Sequence, residues 1–203
     1  MKKLLLSICL VVLSLMKANA QEPQIVSTEP SKRNVLIEEL TGRNCTYCPD
    51  GHVIANNIIN NNPGRVWAVN VHSGGYSPTT YPNLNTVEGD AICSAFTTGS
   101  FPTGIVNRST STAEGRYYWS NTTSYKLNEA AECNIGGQVI INHKTRIATM
   151  EVEVYYTDNS TSSNNYLTVM MLQDSILGSQ SGGAEFNPEQ MIGGKYVHLH
   201  VLR

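Results

Sequence analysis

The chain of 203 residues carries 14 basic and 16 acidic side chains, a formal charge of −2, and only 15% of it is charged. In a chain so sparsely charged, and slightly negative, nothing favours nucleic acid as a partner. The length suits one large domain or two small ones, and a change of pattern near residue 132 favours two.

Lys2 and Lys3 precede an apolar stretch from Leu4 to Met16, and Ala18-Asn19-Ala20 follows it. This is the order of an export signal, with cleavage expected after Ala20. The stretch is shorter than the ~20 residues a spanning helix needs, and no later segment approaches that length, so the mature chain is expected to carry no transmembrane helix. Cys9 lies behind Ile8, where lipid attachment wants a small residue, and leaves with the signal. The signal takes three basic residues and no acidic one, so the mature 183 residues hold eleven basic against sixteen acidic groups, a formal charge of −5. Residues 21–33 read as an N-terminal linker.

From Val35 to Leu40 an apolar run ending in two glutamates reads as a buried strand that delivers polar groups to its tip. Thr41-Gly42-Arg43-Asn44 forms a loop. From Asp50 onward Val53, Ile54, Ile58 and Ile59 fall near helical spacing, and Asn62-Pro63-Gly64 ends that helix. Val66 to Val71 is a second strand, closing on His72 and Ser73-Gly74-Gly75. Val87 to Phe96 reads as a helix carrying Ile92, Cys93 and Phe96. Phe101-Pro102 leads into the strand-like Gly104-Ile105-Val106, and a polar loop from Ser109 to Glu114 into a helix around Trp119 and Leu127, with little room for a further hairpin strand. Strand and helix alternating at this spacing predict a parallel sheet with helices packed on it and chemistry at the strands' carboxyl ends.

Cys45-Thr46-Tyr47-Cys48 stands just beyond the first strand and just before a helix. A helix start offers unsatisfied N–H groups and the positive end of its dipole, which stabilise a thiolate. Free cysteine titrates near ~8.5, and a Cys-x-x-Cys motif at a helix start can lower that by one to several units. Cys45 would then attack and Cys48 resolve. Two blander readings stand beside this one. A zinc site needs two more ligands at metal spacing, and no second pair follows. A purely structural disulfide fits any exported protein.

With these residues in view, the chain resembles the exported thioredoxin-like proteins of Gram-negative bacteria known as the outer membrane protein twenty-eight family. The resemblance rests on the stretch from Glu38 to Pro49, on Val69-Asn70-Val71-His72, on Phe101-Pro102-Thr103-Gly104 with Asn107-Arg108, and on His200-Val201-Leu202-Arg203. It implies a thioredoxin-like domain at 34–131, a β-rich domain from 132 to 203, and a cell-envelope location in the periplasm or at the outer membrane. From thioredoxins at large it implies a cis Pro102 opposite the cysteines, holding a backbone edge for an incoming peptide, and a buried carboxylate at Glu39, six residues before Cys45, that moves a proton during exchange. Glu38 competes with Glu39 for the inward face, so the other reading of Glu39 is a solvated strand-end carboxylate. Asn44 stands where an aromatic residue is common, and Thr46-Tyr47 matches no familiar redox class.

His72 reads either as a ligand near the site or as a hydrogen-bonded strand end. Arg43 either lowers the Cys45 pKa by its charge or is solvated. Cys93 and Cys133 complete an even count of four in the mature chain, as a second disulfide or as two free thiols. From Cys133 the pattern turns to period two, with Met150, Val152, Val154 and Tyr156 on one face, preceded by Val139 and Ile141 across a turn near His143-Lys144. Leu167 to Leu172 and the alternation of Val197, Leu199 and Val201 complete an expected antiparallel sheet or sandwich. His198 and His200 would share one face, as a metal pair or, lacking a third ligand, as solvated side chains. The segment from Ser175 to Lys195 reads as a mobile loop. Arg203 ends the sequence in an alternating stretch, so a fragment with an unpaired β edge is expected.

Two functions emerge: thiol–disulfide exchange with exported proteins through Cys45 and Cys48, or a non-catalytic surface binding or adhesion protein on the same scaffold. No cofactor and no metal is called for.

Overall fold

A computed structural model describes residues 24–96 and 99–203. The export signal lies outside the described residues. Contacts divide the described residues into two compact units, one of residues 31–131 with 160–203, the other of residues 132–159 with 24–30.

The larger unit is built on a six-stranded sheet in which the strands at 114–115, 103–106, 35–41, 66–72, 201–202 and 172–173 lie side by side in that order. β1 (Val35–Thr41) and β2 (Val66–His72) run parallel, Val35 opposite Val66 and Thr41 opposite His72. β3 (Thr103–Val106) lies antiparallel on the other side of β1, so the sheet is mixed and not all-parallel as the alternation of elements implied. Apolar content marks a buried strand but carries no information on its direction. A further strand, β4 (Glu114–Gly115), does pair with β3, its two residues fitting the short path that seemed to leave no room. Helix α1 (Cys48–Asn61) starts two residues earlier than the apolar spacing suggested, at Cys48, with Pro49 in its first turn, where the missing N–H costs nothing. α2 (Val87–Phe96) and α3 (Trp119–Lys126) follow the expected order.

Period-two geometry sends alternate side chains of β1 to opposite faces. Val35 and Ile37 join Ala55, Ile58 and Trp119 in one cluster; Leu40 joins Cys93, Ile105 and Leu202 in the other. With helices on both faces, Glu38 and Glu39 need not compete, and both are buried. Glu38 meets Arg108, whose Nε and Nη2 donate to its two oxygens at 2.7 and 2.6 Å, while Glu39 faces α1.

The sequence placed 160–203 in a separate β-rich domain; the structure returns it to the larger unit. β11 (Val201–Leu202) pairs parallel with β2 at Asn70 and antiparallel with β7 (Leu172–Gln173), all that forms of the Leu167 to Leu172 strand. The alternation of Val197, Leu199 and Val201 is not one strand. β10 (Lys195–His198) ends before His200, whose φ of 54° breaks the run, and Tyr196 and His198 are the buried side chains of β10. Nor is Ser175 to Lys195 an open loop. It holds β8 (Ile176–Gly178), a short helix α4 (Gly183–Phe186) and β9 (Met191–Ile192), with β8 and β9 flanking β10 in a second, antiparallel sheet.

The smaller unit is the antiparallel hairpin of β5 (Cys133–Asn142) and β6 (Ile147–Tyr156), with ten residue pairs from Cys133–Tyr156 to Asn142–Ile147. Both strands lie where period two placed them, but among the described residues this unit forms two strands and not a sandwich. The amides of Ile25 and Val26 donate to Glu153 Oε2 at 2.8 and 3.1 Å. Gly136 leaves room for that backbone, since a Cβ there would collide with Ile25.

Candidate functional site

Cys45 and Cys48 form a disulfide, their Cα atoms 5.4 Å apart, within the span such a bond requires. The backbone prepares it: Cys45 N–H donates to Gly42 O at 3.0 Å, and Cys48 N–H to Cys45 O at 3.4 Å. Gly42 has no alternative, because a Cβ would lie 2.5 Å from the Tyr76 carbonyl carbon and oxygen. Cys48 opens α1, so the pair meets the positive end of the helix as expected.

Glu39 is wholly buried beneath the first turn of α1, and its carboxylate fills the place of the side chain Gly51 lacks. A Cβ on Gly51 would lie 2.5 Å from Glu39 Oε1 and 3.0 Å from Pro102 Cβ. The Phe101–Pro102 bond is cis. Glu39, the start of α1 and Pro102 therefore meet at one place. Burial holds the Glu39 pKa well above the usual carboxylate value; the Arg116 charge opposes this and that of Asp50 adds to it. Neither carboxyl oxygen has a hydrogen-bond partner among the described residues. Arg116 is tied to Asp50 by an ion pair and stacks on Tyr117, 4.4 Å from its ring centre.

Sequence reasoning missed His52. It follows Cys48 by four residues on the buried face of α1, and this spacing was the available signal. Its Nε2 lies 3.1 Å from Thr41 Oγ1 and 3.7 Å from Glu39 Oε1; its Nδ1 lies 2.8 Å from the Tyr196 hydroxyl. Burial, then the nearby His198 and His200, push the His52 pKa down to about 3, so the ring is neutral. His198 is buried beside Tyr196, not solvated beside His200, and burial takes it to about 4, with the Ser179 backbone opposing and Arg43 adding. His72 is buried too, edge-on to His198 with ring centres 5.3 Å apart, and is pushed well below its usual value chiefly by burial. Among the described residues no cluster of three or more His, Cys, Asp or Glu is placed to hold a metal.

Residues 179–186 lie over the cysteine motif. Ser181 N–H donates to Arg43 O at 2.8 Å, and Gln180 Nε2 donates to Gly42 O at 3.2 Å and Cys45 O at 2.9 Å. Arg43 Nη1 donates to Ser179 Oγ at 3.0 Å and Nη2 to Thr80 O at 2.7 Å, so this arginine is neither solvated nor aimed at a thiolate. Tyr47 and Phe186 stack with ring centres 5.3 Å apart. Gly182, at φ 70°, has no space for a Cβ against Thr46 O. Under this strap Cys45 is 3% exposed and Cys48 not at all. Cys93 and Cys133 are free thiols.

Among the described residues no helix is long and apolar enough to cross a membrane. Neither a family model nor a curated protein matches the sequence. Among solved structures, HBP35 of Porphyromonas gingivalis is similar, at a TM-score of 0.58 and 19% identity over 85% of this chain. The match takes in 56% of that protein, so this chain spans little more than half its length. The mixed α/β architecture is thus one that HBP35 shares, and at this identity the likeness extends to the fold alone.

Proposed function

We propose that the chain is an exported cell-envelope protein whose larger unit is thioredoxin-like and exchanges disulfides with exported proteins through Cys45 and Cys48. The observation that carries this reading is the convergence of a disulfide at a helix start, Pro102 and a buried Glu39 around Gly51. In the reducing direction the Cys45 thiolate attacks a partner disulfide, one partner sulfur leaves, and a mixed disulfide forms against Pro102. The Cys48 thiol then loses its proton and attacks Cys45 Sγ. The second partner sulfur is released, the partner has gained two electrons, and the Cys45–Cys48 pair has lost them. The oxidising direction is the reverse, and the state described here is the one that starts it.

The test is covalent trapping in the mature protein. Cys45→Ser abolishes turnover of insulin disulfides, whereas Cys48→Ser accumulates mixed disulfides with partners. Undiminished insulin reduction by Cys45→Ser removes the reading.

A second reading, a non-catalytic surface or adhesion protein, is favoured by one observation: Cys45 is almost fully covered by residues 179–186. On that reading the disulfide staples α1 to its loop. It resists glutathione, and partner binding belongs to the exposed hairpin.

A further inference from the structure

His52 sits in a hydrogen-bond chain whose polarity can be worked out from what each group is able to donate. Gln190 Oε1 accepts from the Tyr196 hydroxyl at 2.5 Å and also from Asn187 Nδ2, which donates to the Tyr196 oxygen at 2.9 Å as well. A phenol has one hydrogen, and here it points to Gln190. The Tyr196 oxygen can then only accept from His52, 2.8 Å away, so the hydrogen of the neutral ring sits on Nδ1. Nε2 is left as a lone pair, which accepts from the Thr41 hydroxyl at 3.1 Å, with Glu39 Oε1 next nearest at 3.7 Å. Across that gap lies a buried carboxyl with no partner of its own.

We propose that His52 is the positioning residue for the Glu39 proton: the Gln190–Tyr196–His52 chain fixes Nδ1–H and presents Nε2 as the acceptor that holds Glu39 in its carboxylic acid form while Cys45 and Cys48 are joined. This deepens the exchange reading and rests on it. When an incoming thiolate bonds to Cys45 Sγ and the Cys45–Cys48 bond breaks, Cys48 leaves as a thiolate. Glu39, which packs against Gly51 three residues beyond Cys48 on α1, gives up its proton to that thiolate and becomes a carboxylate. In reverse the carboxylate takes the Cys48 proton. His52 gains and loses no proton; it sets which form of Glu39 waits in the oxidised protein. Closing the Glu39–His52 bond needs Oε1 to come nearer by under about 1 Å and the Thr41 hydroxyl to turn its hydrogen away from Nε2, which has one lone pair to offer. The other ionisable groups facing the pair are Asp50 on α1, Arg116 before α3, His72 at the end of β2, and Tyr196, His198 and His200 from the C-terminal segment.

The experiment uses the full mature chain, oxidised. Ring ¹⁵N shifts of His52 are expected to show Nδ1 protonated and Nε2 bare. In Tyr196→Phe, which keeps the ring and loses the hydroxyl, Nδ1 has no acceptor and the hydrogen moves to Nε2. A donor then faces Glu39 and favours its carboxylate. The second readout is the pH profile of disulfide opening by dithiothreitol, corrected for the reagent's own ionisation. Wild type falls off above the Glu39 pKa, Glu39→Gln loses that break, and in Tyr196→Phe it moves to lower pH by about one unit. Nε2 protonated in wild type, or a break unmoved in Tyr196→Phe, overturns the proposal. A disulfide that dithiothreitol does not open in wild type overturns the exchange reading and the catalytic use of the chain, while the ¹⁵N shifts still decide the hydrogen-bond arrangement by themselves.

Discussion

Glu39, Gly51 and His52 show how little space a buried carboxyl needs and how much it constrains. Gly51→Ala puts a methyl group against Glu39 Oε1 and Pro102, neither of which is an exposed, flexible chain end. It is expected to cost about 1–3 kcal/mol in urea unfolding, and less in a Glu39→Ala background, where the methyl has room. The buried titrating groups also give stability a defined pH dependence. The histidines are depressed when folded, so the stability they contribute is complete above their unfolded value near ~6.5 and is lost as pH falls towards the folded values, about 3 for His52 and about 4 for His198. Glu39 has the opposite sign. Its folded pKa is raised, so stability declines as pH rises from the unfolded value near ~4.3 to the folded one. Urea midpoints should therefore fall between pH 6.5 and 4 in the wild type, and Glu39→Gln should raise the midpoint more at pH 8 than at pH 4. A gain in the Glu39→Gln midpoint that is equal at both pH values contradicts the assignment. A buried carboxylate at Glu39 was what the resemblance implied. His52 had only its four-residue spacing from Cys48 as a signal, and Tyr196 had none, because 144 residues separate two groups that share one hydrogen bond.

At the scale of elements, the strap of residues 179–186 decides whether the disulfide can be reached. It is held by hydrogen bonds to the backbone of Gly42, Arg43 and Cys45 and by one aromatic contact, with its turn set by Gly182 in a left-handed conformation. Glycine tolerates that φ freely; alanine does not, and its Cβ would meet the Thr46 carbonyl. Gly182→Ala is expected to weaken the strap by about 1–3 kcal/mol, hence to speed opening of the disulfide by dithiothreitol by about tenfold or more if access runs through local opening. An unchanged rate would mean that the reagent reaches Cys45 by another path. The strap was invisible in the sequence because the glycine- and serine-rich run from 179 to 183 has no periodicity, and its order comes from polar contacts to a loop far back in the chain.

On the scale of the whole molecule, β1, α1, β2, α2 and β3 were legible because each carries an apolar run or face bounded by proline, glycine or asparagine. The hairpin of β5 and β6 was equally legible from period two. What failed was the allocation of the last forty-four residues, which period two assigned to the hairpin's company and the structure gives to the larger unit, where two of their strands join the sheet of β1 and β2. Short strands such as Val201–Leu202 are placed by their partners, and two residues hold no pattern of their own. The consequence is functional, since this returning segment supplies both Tyr196 beneath the site and the strap above it. The central claim is that the pair so enclosed is an exchanging disulfide and not a staple. The most direct test is its reduction potential in the mature protein, by thiol trapping across glutathione buffers, counting only thiols beyond the two of Cys93 and Cys133. A value between roughly −120 and −270 mV, the span of known exchange catalysts, is the expected result; a value below about −300 mV would make the Cys45–Cys48 bond structural and contradict the account.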